Sequence, residues 1–235
     1  LFDSFSSLAV TPSDPLARQQ VLNRAGDLAR EFQTADGSLA KAQQEAVQQA
    51  KTVAESINDY GERLRTLNGE IRRNRAVADD PAVDAEIHQT LESLSELVDI
   101  QTLRAEDGTF TVLMGGQSAL LVGETLYPPR TGFDGTSVHV YDPTGDDITA
   151  KINGGRLRGA LDAASSSIPG WRSQLNQLAV SVADAVNAGL VSGVDENGVP
   201  GLPLFSYNTA GDAAATLSVT NLTPDQLAAA SAAAP

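Results

Sequence analysis

The sequence predicts a mainly α fold with a small β insertion: an elongated antiparallel helical bundle, or rod, bearing a β-meander and hairpin as a projection. Three observations predict it. Apolar residues recur at steps of three and four through most of the first hundred positions. That period gives way to alternation between about residues 100 and 152, and it returns from Leu157 onward. Hydrophobic residues make up 41% of the 235, enough for a core, while aromatics are only 5%, which favours packing through Leu, Val and Ala.

The elements follow in order. Ser13-Asp14-Pro15 is a helix start, with a capping side chain ahead of a proline suited to the first turn. Leu16, Val21, Leu22, Ala25, Leu28, Ala29 and Phe32 continue it, and Asp36-Gly37-Ser38 reads as a break or soft bend. A longer helix is expected from about Leu39 to Arg75. Its coiled-coil-like seam is Leu39, Ala42, Ala46, Ala50, Val53, Ile57, Tyr60, Leu64, Leu67 and Ile71. Asp79-Asp80-Pro81 interrupts the pattern, and a third helix carries Val83, Ile87, Leu91, Leu94 and Val98 on one face.

Strands are then expected at 99–103, 109–113 and 118–122, joined by turns at Asp107-Gly108 and Gly115-Gly116. The stretch Tyr127 to Gly132 reads as a loop. Ser137 to Tyr141 and Ile148 to Ile152 read as a hairpin around Pro143-Thr144-Gly145. From near Leu157 a last long helix places Leu161, Ile168, Trp171, Leu175, Leu178, Val182 and Ala185 on its seam, with Pro169 set to kink or delay it. Beyond Gly189 the chain is loop-rich, with a short helix expected at Pro224 to Ala233. The division expected is 1–100 and 154–235 for the helical rod, and 101–153 for the projecting β subdomain. The core residues expected are Leu64, Leu67, Ile71, Leu91, Leu94, Trp171, Leu175 and Leu178.

Charge narrows the function classes. A formal net charge of −14 repels nucleic acid and anionic membrane surfaces. No apolar run reaches the length of a membrane span, and no basic-then-apolar leader opens the sequence. Cysteine is absent, which removes disulfides and thiolate chemistry. The ends read as cut from a longer chain.

Several segments carry a resemblance. Phe2-Asp3-Ser4-Phe5-Ser6-Ser7-Leu8 precedes Pro12-Ser13-Asp14-Pro15, Ala17-Arg18 and Val21-Leu22. Ile57-Asn58, Leu67-Asn68 and Ile71 follow on the long helix, then Asp107-Gly108-Thr109 and Ala119-Leu120-Leu121-Val122-Gly123. The most specific run is Gly154-Gly155-Arg156-Leu157-Arg158-Gly159-Ala160-Leu161-Asp162, ahead of Leu175-Asn176-Gln177-Leu178-Ala179 and Ala183-Asp184-Ala185-Val186-Asn187. In order and spacing this set resembles the flagellar hook-associated protein 1 family, the hook–filament junction proteins. The run Ala76 to Pro81 departs from the family's usual entry into its third helix.

The resemblance implies a structural, non-enzymatic component of the bacterial flagellum, extracellular, connecting hook to filament. It implies as partners copies of itself, hook protein, a second hook-associated junction protein and, through termini outside this sequence, an export chaperone. No cofactor is implied. Alternatives are flagellin or another axial protein and, from other classes, a secreted hydrolase or a surface adhesin.

The chemical motifs favour plain readings. His88 and His139 lie in different elements, where a packing or exposed role outweighs catalysis or metal binding. Asp195-Glu196-Asn197-Gly198 and the group Asp142, Asp146 and Asp147 suit turns better than a calcium loop. Gly154-Gly155 lacks the Lys-Ser/Thr of a phosphate loop and supplies backbone freedom where strand becomes helix. Arg72-Arg73 and Arg75 complement a helix C-terminus. No catalytic, cofactor or metal residues are expected.

Overall fold

The computed structural model describes residues 1–231, and all side chains among them except those at 78, 79 and 231. The helices are α1 (Phe2–Val10), α2 (Pro15–Arg73), α3 (Pro81–Leu97), α4 (Gly155–Asp162), α5 (Ile168–Val191) and the short α6 (Ala213–Thr216). The strands are β1 (Ile100–Arg104), β2 (Phe110–Met114), β3 (Ser118–Val122), β4 (Thr125–Leu126), β5 (Arg130–Phe133) and β6 (Val138–Tyr141), followed by β7 (Gly193–Val194), β8 (Phe205–Ser206), β9 (Ser218–Val219) and β10 (Ala230–Ser231). The chain is therefore mainly helical, with one long helix and small antiparallel sheets. Packing separates it into two compact units: a central one, Ala42–Pro169, and a discontinuous one, Leu1–Lys41 with Gly170–Pro235. Both boundaries fall inside helices, on different lines from the division at residues 100 and 153.

In the central unit, α2 buries Ala50, Val53, Ile57, Leu64, Leu67 and Ile71, at the three-and-four spacing of the seam. Gly61 lies among them. A Cβ there would stand 2.7 Å from the Leu126 side chain, so glycine lets the sheet lie close to the helix. The sheet order is β1-β2-β3-β4, all antiparallel, with a bulge between Val112 and Leu113 opposite β3. Asp80 caps α3 through Ala82 N–H, and Pro81 fills its first turn. α3 lies against α4. At that contact Gly155 takes φ +75° and a Cβ on it would meet the Leu97–Val98 backbone at 2.5 Å, which only glycine avoids.

In the discontinuous unit, α2 contributes Val21, Ala25, Ala29 and Phe32, and α5 contributes Ala179, Ala183 and Leu190. Leu204, Phe205, Leu217 and Leu227 from the terminal loops complete that core.

Several expectations are corrected. The break at Asp36–Ser38 is absent, and α2 runs through it. Asp36, instead of ending a helix, is buried and receives Arg172 Nε at 3.0 Å and a terminal guanidinium nitrogen at 2.9 Å. Ser38 donates to Thr34 O along the helix. The hairpin partner of β6 is β5, in the stretch read as a loop, with Gly132 opposite His139. Residues 149–151 form a 3-10 turn, because Thr149 N–H and hydroxyl both close on Asp147. Residues 224–226 are a 3-10 turn and 230–231 pair with β7, so no helix spans 224–231. Ala232 and Ala233 of that expected helix lie outside the described residues.

The core residues divide. Leu64, Leu67, Ile71 and Leu94 are buried, while Leu91 and Leu175 are half-buried. Trp171 and Leu178 are corrections: they are 55% and 54% exposed. The seam was drawn through the large apolar side chains of α5, whereas its buried line passes through the small ones, Ala179 and Ala183, before reaching Leu190. A straight helix drifts ~20° per heptad, and eleven-residue spacing such as Ala179 to Leu190 follows its face more closely. Pro169 is accommodated by a π-helical turn, Ala163–Ser167, between α4 and α5. Proline supplies no N–H to the preceding turn, and a widened turn is one way of absorbing that loss.

Candidate functional site

Two sets of residues carry the chemistry of this molecule: buried and half-buried polar side chains that hold loops to helices, and an exposed apolar face. The first set is built mainly from asparagines. Asn68, on the buried face of α2, donates from Nδ2 to Phe110 O and Gly123 O and accepts from Phe110 N–H, so its amide acts as an extra strand rung. Asn187 on α5 does the same for β8, accepting from Phe205 N–H and donating to Phe205 O. Asn176 donates to Gly211 O and accepts from Ala214 N–H. Asn58 donates to Pro129 O, and its buried Oδ1 has no hydrogen-bond partner. A buried amide holds a loop only while its backbone partners stay in place, because leaving them unpaired is costly.

Arg18 extends the pattern. It is buried and donates to Pro12 O, Pro224 O and Leu227 O, tying chain ends more than two hundred positions apart into one unit. The positions Ala17-Arg18, Ile57-Asn58, Leu67-Asn68, Leu175-Asn176 and Asn187 all belong to the segments that carried the family resemblance. Their clamping role was not read from the sequence. The available signal was an asparagine next to a seam leucine, a polar group placed where burial demands partners.

The second set lies on the discontinuous unit. On α5, Trp171, Leu175, Leu178, Val182 and Ala185 follow heptad steps, and Trp171, Leu178 and Ala185 are exposed. Beside them Phe2 and Phe5 of α1 wall an open groove of about 510 Å³ with Val182, Ala185, Val186, Gly189 and Leu190. Phe2 is 71% exposed. Eight of the twelve large apolar side chains left exposed among the described residues lie on this unit. The part of this set joined in one place, Phe2 and Phe5 with Val182, Ala185 and Val186, has the character of a packing surface, which scattered single exposed residues lack.

The polar candidates settle into turns. Asp195 accepts from Asn197 N–H and Val199 N–H, and Asp142 accepts from Thr144 and Asp146 N–H. Four Asp-x-Thr turns recur, at Asp107, Asp134, Asp142 and Asp147, each carboxylate receiving the hydroxyl and N–H of the threonine two residues on. Those bonds hold each of these carboxyls below its ordinary pKa, Thr-derived bonds leading except at Asp134, where Ser137 N–H leads. His88 contacts Asp84 O on an exposed helix face, and Arg73 donates to Gly69 O at the C-terminus of α2. Among the described residues, no helix is long and apolar enough to cross a membrane, and no group of three or more His, Cys, Asp or Glu side chains could hold a metal ion.

Residues 1–205 match the family described as the flagellar hook-associated protein FlgK helical domain. Flagellar hook-associated protein 1 of Salmonella typhimurium is 28% identical over 240 residues, covering 93% of this chain and 43% of that protein. The Escherichia coli K12 protein of the same name is 27% identical over 216 residues, covering 87% of this chain and 40% of that protein. The flagellar hook junction protein FlgK from Burkholderia pseudomallei has a similar structure, with a TM-score of 0.76 at 25% identity over 88% of this chain and 39% of that one. The chain thus spans about two-fifths of the length of these relatives.

Proposed function

The chain belongs to the flagellar hook-associated protein FlgK helical-domain family, and from that premise we propose that it is a structural component of the bacterial flagellum, outside the cell, joining hook to filament and needed for filament assembly. Its partners in this reading are copies of itself, hook protein and a second hook-associated junction protein, with an export chaperone acting before assembly. Its work is packing and not catalysis.

The observation that carries the reading is the apolar face of α5 with the groove beside α1. Trp171, Leu178 and Ala185 stand at heptad spacing on an exposed helix surface, the arrangement that receives a neighbouring helix. The excess of negative charge keeps unassembled chains apart, so the face closes only where neighbours are held in place.

Deletion of the gene tests the reading. Electron microscopy should show hooks without filaments, and the medium should contain soluble flagellin. Normal filaments and motility would overturn it. Loss of the hooks as well would move the protein to an earlier position in the axial structure.

A further inference from the structure

The β5–β6 hairpin of the central unit holds an arrangement that packing does not require. His139, on β6, lies between two carboxylates from different loops. Its Nδ1 is 2.8 Å from Asp147 Oδ2, beyond the far end of the strand, and its Nε2 is 3.3 Å from Asp134 Oδ2, in the β5–β6 turn. Both carboxylates are fixed independently of the histidine. Asp134 Oδ1 accepts Thr136 N–H, the Thr136 hydroxyl and Ser137 N–H, and Asp147 Oδ1 accepts Thr149 N–H and hydroxyl. Each aspartate therefore ties its own turn with one oxygen and offers the other to the same imidazole.

We infer that His139 is a pH-responsive staple: charged, it joins the β5–β6 turn to the loop before α4, and neutral, it releases the turn. The chemistry follows from proton counting. An imidazolium donates from both nitrogens and satisfies both carboxylates. A neutral imidazole has one N–H. The shorter contact keeps it, so Asp147 retains its bond, and the bare nitrogen then faces Asp134 with lone pair against lone pair. The two ring nitrogens meet different carboxylates, which makes the group a staple and not a shared cation site.

Tyr141 stacks on the imidazole at 6.0 Å between ring centroids. Asp142 and Asp146 lie in the same loop as Asp147, with Asp142 turned onto its own loop. From α4, Arg158 and Asp162 line the cavity of about 550 Å³ that His139 also lines, and they pair with each other at 2.8 Å. On β5, Arg130 pairs with Tyr141 on the face that carries His139 and adds a second guanidinium beside Arg158. The two carboxylates in direct contact prevail: the Asp147 and then the Asp134 bond raise the His139 pKa above its ordinary value. A raised folded-state pKa places the stabilisation fully below the unfolded value, with loss as pH rises through the folded one. The aspartates set the acid limit with the opposite sign, because their lowered values give stabilisation above the ordinary carboxylate pKa and loss only in stronger acid.

The freed turn runs into the cavity wall. Ser137 and Val138 line it, and Val138 N–H donates to Ser165 Oγ in the π-helical turn. Rising pH therefore loosens the Ser137 edge of that wall, while Val138 stays held by Ser165 and by its pairing with Phe133.

Hydrogen exchange of the intact chain tests this, with rates corrected for intrinsic pH dependence and the His139 titration followed by NMR. Protection at Thr136 and Ser137 should fall through the His139 midpoint by about tenfold for each pKa unit that the Asp134 contact alone adds, the larger Asp147 share being retained in the neutral ring. Thr149 should change less. In His139→Gln the dependence should vanish, with protection at every pH near the high-pH level of the wild type. Flat protection across the titration in the wild-type chain would overturn the inference, as would the same pH dependence in His139→Gln.

Discussion

At the scale of single residues, stability rests on side chains with more partners than their size suggests. Asn68 makes three bonds to the meander backbone from a position 1% exposed. Asn68→Ala leaves those groups without partners and should cost about 2–3 kcal/mol, read as a lowered urea midpoint. Asn68→Asp should cost nearly as much, because the two bonds donated by Nδ2 go while the size stays. Gly155→Ala meets both a positive φ and a backbone 2.5 Å away. It should lose about 2–4 kcal/mol by the same measurement. The freedom that Gly154-Gly155 supplies was legible in the sequence. Its reason was only half so: a conformational change at the entry to α4 is legible locally, though a 3-10 turn and not a strand leads into it, and the approach of Leu97–Val98 depends on a packing that no local pattern encodes. The asparagine clamps stayed hidden because an amide on a helix reads the same whether it faces water or a strand.

At the scale of elements, period was a sound guide to type and a poorer one to partner. The seam of α2 in the central unit was legible because its buried positions carry Val, Ile and Leu. On α5 the same rule chose the wrong line, since Trp171 and Leu178 point to solvent while Ala179 and Ala183 point to the core. The two helices therefore give opposite outcomes for substitutions of the same kind. Leu64→Ala, 1% exposed, should lose about 2–5 kcal/mol. Leu178→Ala, 54% exposed, should change stability by less than about 0.5 kcal/mol. Thermal melts of the two variants compare the faces directly, and equal losses would restore the heptad seam as the core. The β5–β6 pairing was missed for a related reason. Arg130-Thr131-Gly132-Phe133 follows two prolines and contains a glycine, so local signals favour a loop. Four backbone pairings with β6 outweigh them.

At the scale of the whole molecule, an apolar face left open on an acidic protein has a meaning that the same face on a neutral one lacks. In the proposed function, charge repulsion would oppose casual association, and the face would be used only when a lattice of neighbours supplies enough buried area. Family membership was legible in the ordered motifs, and those motifs prove to be largely clamps and turns. What lies beyond these motifs, on the outward side of α5, is where assembly is argued to occur. The measurement that tests this most directly is complementation of the gene-deletion strain with a chain carrying Leu178→Glu and Ala185→Glu. Both positions are exposed, so the variant should fold and be exported at wild-type levels. The account predicts bare hooks and flagellin shed into the medium, with filaments restored only by the wild-type gene. Full-length filaments on cells carrying the exported variant would contradict it.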